Sequence, residues 1–240
     1  MTLAITVRRA ALLLFAACSG VSRASDHDLN RITKELPDVP APPQGDMWWI
    51  SKSMRMNGLP MTLKNFRSKL TLDAVCEYYR VNAGARLTNE IHAHRSGDWS
   101  VLSIRSQRHV VTIQVRPTQL GSEGTITVSP LPETFRVKLE TTFPRPDTTS
   151  VINLQEYDDA GVRAEHISLT SARSVAIEAQ AFVEKLRRER WQITLREPMR
   201  TVSRGQVIET QNGAQHALLT LMPDPERPAK TAIVVVWKKS

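Results

Sequence analysis

The chain has 240 residues, 41% of them hydrophobic and 23% charged, with a formal net charge of +8. That is ordinary globular composition, enough for two cores of about 100 residues each and unlike a disordered tail or a coiled coil. The positive excess is modest and partly N-terminal, so nucleic acid is not an expected partner.

Arg8 and Arg9 precede an apolar run from Ala10 to Ala17, followed by small and polar residues. This charged, apolar, small-residue order is that of a secretory signal. The run is too short to cross about 30 Å of hydrocarbon, and no later segment offers the roughly 20 apolar residues of a spanning helix. Two processing sites compete. Ser22-Arg23-Ala24 suits cleavage before Ser25, which makes residues 1–24 the signal peptide and lowers the formal charge from +8 to +5. Phe15-Ala16-Ala17-Cys18 resembles the bacterial lipobox, departing from it at Phe15, where Leu is usual. That resemblance implies a lipoprotein signal over 1–17 and lipidation of Cys18. Either reading exports the protein, to the periplasm or to a membrane anchor. Only Cys76 then remains as a free thiol, so no intramolecular disulfide can form.

Residues 25–46 include Leu-Pro-Asp-Val-Pro-Ala-Pro-Pro at 36–43 and read as a Pro-rich tether. A first α+β domain spans 47–132. It opens with a strand containing Trp48 and Trp49, turns at Asn57-Gly58, a dipeptide suited to a type I′ hairpin, and returns over about 60–66. A helix follows over about 72–81, with Leu72, Val75, Cys76 and Tyr79 on one face and Ser68 or Thr71 as its cap. Strands are predicted at 99–104, 109–116 and 124–128, with Gly121 and Gly124 marking the last turn. Residues 133–147 read as a linker, with 135–139 able to add a strand.

The second domain, 148–240, repeats the order. A strand at 151–157, a turn at Asp158-Asp159-Ala160-Gly161 and a strand at 162–169 lead to a helix over about 174–190, then strands near 191–195, 206–210, 217–222 and 231–237. Gly58 and Gly161, Leu72 and Val175, Cys76 and Ala179, and Tyr79 and Phe182 all stand 103 residues apart; Pro117 and Pro223, Thr125 and Thr231, and Val128 and Val234 stand 106 apart. The fold class expected is therefore α+β, as two tandem, diverged copies of a small hairpin-helix-meander unit behind a cleaved signal.

No nucleophile elbow, zinc helix or phosphate loop is present, so neither enzyme activity nor a cofactor is expected. His92 and His94 read as a solvated loop, because nothing supplies the three or four ligands of a metal site. Glu156, Asp158 and Asp159 flank a turn, where Asp is favoured. Cys76 reads as a small buried hydrophobe, and Trp99 and Trp191 as residues that dock the helix before them. Trp48 and Trp49, at a domain edge, and Arg187, Arg188 and Arg190, at the basic end of the second helix, are the candidate partner contacts. The expected function is non-catalytic: a periplasmic or lipid-anchored adaptor that binds envelope proteins of a secretion, pilus or assembly machine, with an anionic lipid or glycan surface as a further partner. The alternative is a small-ligand or glycan binder, or a weakly marked enzyme, with its site between the domains.

Overall fold

Asn57 and Gly58 take φ values of 53° and 88°, and this two-residue turn joins β1 (Gly45–Met56) to β2 (Leu59–Ser68). A computed structural model describes residues 26–86, 90–159 and 162–239. After β2 come α2 (Leu72–Arg86), β3 (Glu90–Ser96), β4 (Trp99–Arg105), β5 (His109–Thr118) and β6 (Gly121–Pro130). The second half runs β7 (Thr149–Asp159), β8 (Val162–Ser171), α3 (Val175–Arg188), β9 (Gln192–Pro198), β10 (Gln206–Asn212), β11 (Gln215–Pro223) and β12 (Thr231–Lys239). A short helix, α1 (Asp26–Lys34), precedes them all.

The twelve strands form one antiparallel sheet in the order β3-β4-β5-β6-β2-β1-β7-β8-β12-β11-β10-β9. Read outward from the centre, both halves have the same order: hairpin, last strand, then the remaining meander backwards. They join where Met54–Met56 pairs with Gln155–Tyr157. Asn57 locks this joint: its backbone N–H donates to the Leu154 carbonyl at 2.7 Å, and its Oδ1 accepts from the Leu154 N–H at 2.8 Å. The fold is thus α+β, with a large antiparallel sheet and few helices.

Both long helices lie on one face of the sheet, because alternation along each strand sends the buried residues to that side. Phe66, Val75, Tyr79, Leu102, Ile113 and Ile126 build the first core; Leu154, Ile167, Phe182, Leu186, Leu219 and Val235 build the second. Each helix is entered through the same device. Ser68 Oγ accepts from the Leu70 N–H at 3.1 Å, and Ser171 Oγ accepts from the Arg173 N–H at 3.2 Å, a serine turn that closes the strand and aims the chain into the helix. Thr71 then caps α2, accepting from the Ala74 N–H at 3.4 Å.

The segment expected as a tether is extended but not free. Val39 is buried and belongs to the first core. Because prolines contribute carbonyls but no N–H, the stretch is held by side-chain donors: Tyr79 Oη–H to Pro40 O at 3.0 Å, Ser68 Oγ–H to Pro43 O at 2.9 Å, and Lys64 Nζ to Val39 O at 3.3 Å. Upstream, α1 buries Leu29 and brings Thr33 Oγ1 to 3.5 Å from Ser53 Oγ of β1.

The linker reading over 133–147 meets a similar correction. Phe143 is 3% exposed and sits 5.6 Å from Trp191 and 5.4 Å from Trp237, ring centroid to centroid. No strand forms over 135–139; the Lys138 N–H instead donates to Asn57 O at 2.8 Å. Nearby, Glu178 of α3 is fully buried and accepts from Thr148 Oγ1 at 2.9 Å and Ser171 Oγ at 2.8 Å. That carboxylate pins the incoming chain to the end of β8.

Strand register also corrects the later offsets. Ile113 pairs with Ile126 and Leu219 with Val235, so β5 and β11 keep the offset of 106, whereas Ile126 matches Val235, 109 residues on. Thr125 and Thr231, and Val128 and Val234, are therefore not equivalent positions. The reason is local: three more residues separate Pro223 from Thr231 than separate Pro117 from its partner Ser122.

Candidate functional site

The face opposite α2 and α3 carries a row of cross-strand neighbours at one end of the first half. Asp46 pairs with Arg67, Arg67 with Glu123, and Glu123 with Arg116. Because Ser100 pairs with Val115, Trp99 falls next to Arg116. Glu123 accepts from Arg116 Nε–H at 2.8 Å and lies 3.7 Å from Arg67 Nε. The Arg116 guanidinium stands 5.0 Å from the Trp99 ring centroid and that of Arg67 5.8 Å from the Trp48 ring. Indole, guanidinium, carboxylate, guanidinium and indole thus follow one another across five strands. They line a shallow cleft of about 180 Å³ together with Asn65 and Thr125. Opposite charges on neighbouring strands stabilise the row by roughly 0.2–1 kcal/mol per pair, and cation–π contact fixes the ring orientations.

The candidate contacts do not form one patch. Trp48 and Trp49, each 41% exposed, point to opposite faces as adjacent strand residues must. Trp48 joins the row, whereas Trp49 lies under Lys64 Nζ, 4.2 Å from its ring centroid, on the helix side. Arg187, Arg188 and Arg190 are exposed at the C-terminal end of α3 in the other half, and Cys18 lies outside the described residues. Arg190 has a backbone role: with φ at 63° it closes α3, while the Trp191 N–H donates to Leu186 O at 2.9 Å. A left-handed position after a helix favours glycine. Arg190→Gly relieves a left-handed strain of about 1–2 kcal/mol against the added unfolded-state entropy of glycine, so it should stabilise the fold by about 0.5–1 kcal/mol, seen as a rise in thermal midpoint; an unchanged or lower midpoint would show that the side chain contributes more than the backbone strain.

Trp191 is buried in the second core as expected, with Trp237 beside it, but Trp99 lies under Arg116 on the face away from the helices. The unexpected strand β3 intervenes between α2 and Trp99. His92 and His94 lie on β3 rather than in a loop. Glu156 lies on β7, within the strand expected over 151–157, opposite Arg55 and Glu165.

Two further cavities lie away from the row. A groove of about 530 Å³ between α2 and the β3–β4 edge contains Cys76, Glu77, Arg80 and Arg95. Burial pushes the Cys76 thiol up, against the lowering effect of Arg80, so it stays protonated at neutral pH and is a poor nucleophile. A smaller cleft of about 100 Å³ at the joint is lined by Arg55, Glu156, Arg163, Glu165 and Lys239. There Glu165 accepts from Thr141 Oγ1 at 2.7 Å and pairs with Lys239, an arrangement that ties chain segments together.

Among the described residues no group of three or more His, Cys, Asp or Glu side chains is placed to hold a metal ion, and no helix is long and apolar enough to cross a membrane. No family model, curated protein or solved structure matches the chain. Outward positions on each strand were legible from alternation, but which of them meet across strands depends on register. A sequence search for the row would have needed that register first.

Proposed function

We propose that this chain is an exported, non-catalytic cell-envelope protein, periplasmic or lipid-anchored at Cys18, that binds protein partners of an envelope, secretion or pilus assembly. The row from Trp48 to Trp99 carries this reading. Trp and Arg are the residues enriched at the energetic centres of protein interfaces, and here two of each stand on a rigid sheet with the guanidinium groups already aligned. The placement of Arg67 and Arg116 over the indoles argues against a sugar platform, because the cations take up ring faces on which a saccharide would stack. The matching strand order of the halves supports a duplicated unit, with the docking surface built only where the copies have diverged.

The test is site-directed photocrosslinking in cells that express the protein. A photoreactive residue at Thr125, inside the row, should give a discrete protein adduct, and one at Arg188, on α3, should not. Arg116→Glu should reduce the Thr125 adduct at least tenfold while leaving the circular dichroism spectrum unchanged. Equal adducts from both sites, or an adduct indifferent to Arg116→Glu, would sink the proposal. So would a bound oligosaccharide in native mass spectrometry without any protein adduct.

A further inference from the structure

The two outer edges of the sheet are not alike. At one end, β9 is blunted: its register against β10 slips between Glu209 and Thr210, and it finishes at Pro198. Bulges and prolines are the usual protection of an exposed edge. At the other end, β3 pairs with β4 without a break over all seven residues, from Glu90 with Arg105 to Ser96 with Trp99. It contains no proline, and each residue from Glu90 to Arg95 is exposed. Ala93 pairs with the core residue Leu102, so His92 and His94, opposite Ser103 and Val101, point to the other face. Two imidazoles at i, i+2 on one side of a regular strand are about 7 Å apart at Cα, and both side chains extend into solvent.

An antiparallel strand pairs with a copy of itself about a two-fold axis only when each residue meets one on the same face, so the paired positions sum to an even number. Centring the axis on Ala93 sets Ala93 against Ala93, and His92 against the partner copy's position 94. Two such rows, related by the axis, bring four imidazoles together on one face, with directly opposed Cα atoms about 4.5–5.5 Å apart. Four nitrogen donors in a compact group suit a tetrahedral zinc-class ion. We propose that His92 and His94 are half of a transition-metal site, which a second copy of the chain completes by pairing β3 with β3 about Ala93. The metal supplies the specificity that an exposed, unblunted edge otherwise lacks, and pairing satisfies its main-chain groups.

The mature chain, stripped with chelator, should sediment as a monomer and double its mass on addition of zinc ions. Calorimetry should give one ion per two chains. His92→Ala and His94→Ala should each weaken zinc binding at least tenfold and leave the chain monomeric, with an unchanged circular dichroism spectrum. Register is read separately: in a Cys76→Ala background, Ala93→Cys should form an intermolecular disulfide under diamide, faster with zinc than without. No zinc-dependent change of mass, a dimer that survives the double histidine variant, zinc bound by single chains, or a cross-link indifferent to zinc would each overturn the proposal.

Discussion

Phe143→Ala is expected to cost about 3–5 kcal/mol, the range for removing a large buried aromatic, even though residue 143 lies in a stretch whose sequence reads as a linker. Phe143 closes a three-ring cluster with Trp191 and Trp237, and truncation leaves a cavity between two indoles that strands and helix hold in place. Domains of this size are stable by only about 5–15 kcal/mol, so the loss is a large fraction of the total. Denaturant unfolding followed by tryptophan fluorescence measures it directly. The near-ultraviolet dichroism of the indoles should weaken before secondary structure is lost. A cost below about 1 kcal/mol would mean that the segment only rests on the second core.

The second large effect is expected from Gly124→Ala. Gly124 stands in β6 between Phe66 of β2 and Val115 of β5. A Cβ at Gly124 would fall 2.1 Å from the Gln114 carbonyl oxygen and 2.6 Å from the Phe66 ring. Phe66 also packs against Tyr79, with centroids 6.1 Å apart, so displacing the ring disturbs the seat of α2. Overpacking of this kind costs about 1–3 kcal/mol and more where backbone must shift; here a backbone oxygen is the nearer obstacle, which sets the expectation at about 3 kcal/mol. Phe66→Leu in the same chain should recover only part of the loss, because it relieves the ring clash and leaves the carbonyl clash. Full recovery, or a single variant as stable as the parent, would contradict the packing described. Its sequence neighbour Gly121, with φ at 137°, is the glycine that serves the turn; both had read as turn markers.

Features set by short-range periodicity were legible. The Asn57-Gly58 hairpin, the stripe through Val75 and Tyr79, and the matching stripe through Ala179 and Phe182 depend on residues within two turns of one another, and all lie where expected. What failed to show depends on partners far away in sequence. Strand β3 alternates only from Glu90 to His94, with Ile91 and Ala93 on one face, and Arg95 breaks the pattern on that face, so the run is too short to identify a half-buried strand. Its counterpart β9 does alternate, with Ile193 against the core; carrying four strands back from the second half to the first would have located β3. Joining the halves into one sheet takes just three residue pairs at Met54–Met56, too few to leave a pattern. Val39 and Phe143 were hidden for another reason. Proline-rich and irregular stretches declare their conformation in sequence, but not the single apolar side chain that each inserts into a core. Of the residues in the row, Trp48 stands out in the sequence, with Trp49, as a large side chain at a domain edge, whereas Arg67, Glu123, Arg116 and Trp99 become a set only through register.

The docking of α1 fixes how far the folded body can stray from an anchor. With Asp26 already in a helix laid on the sheet, only residues 19–25 separate Cys18 from the body, a leash of about 25 Å at full extension. A lipid at Cys18 would therefore hold the sheet beside the bilayer rather than let it reach across the periplasm. Any partner gripping Trp48 and Trp99 would then have to come to the membrane surface to do so.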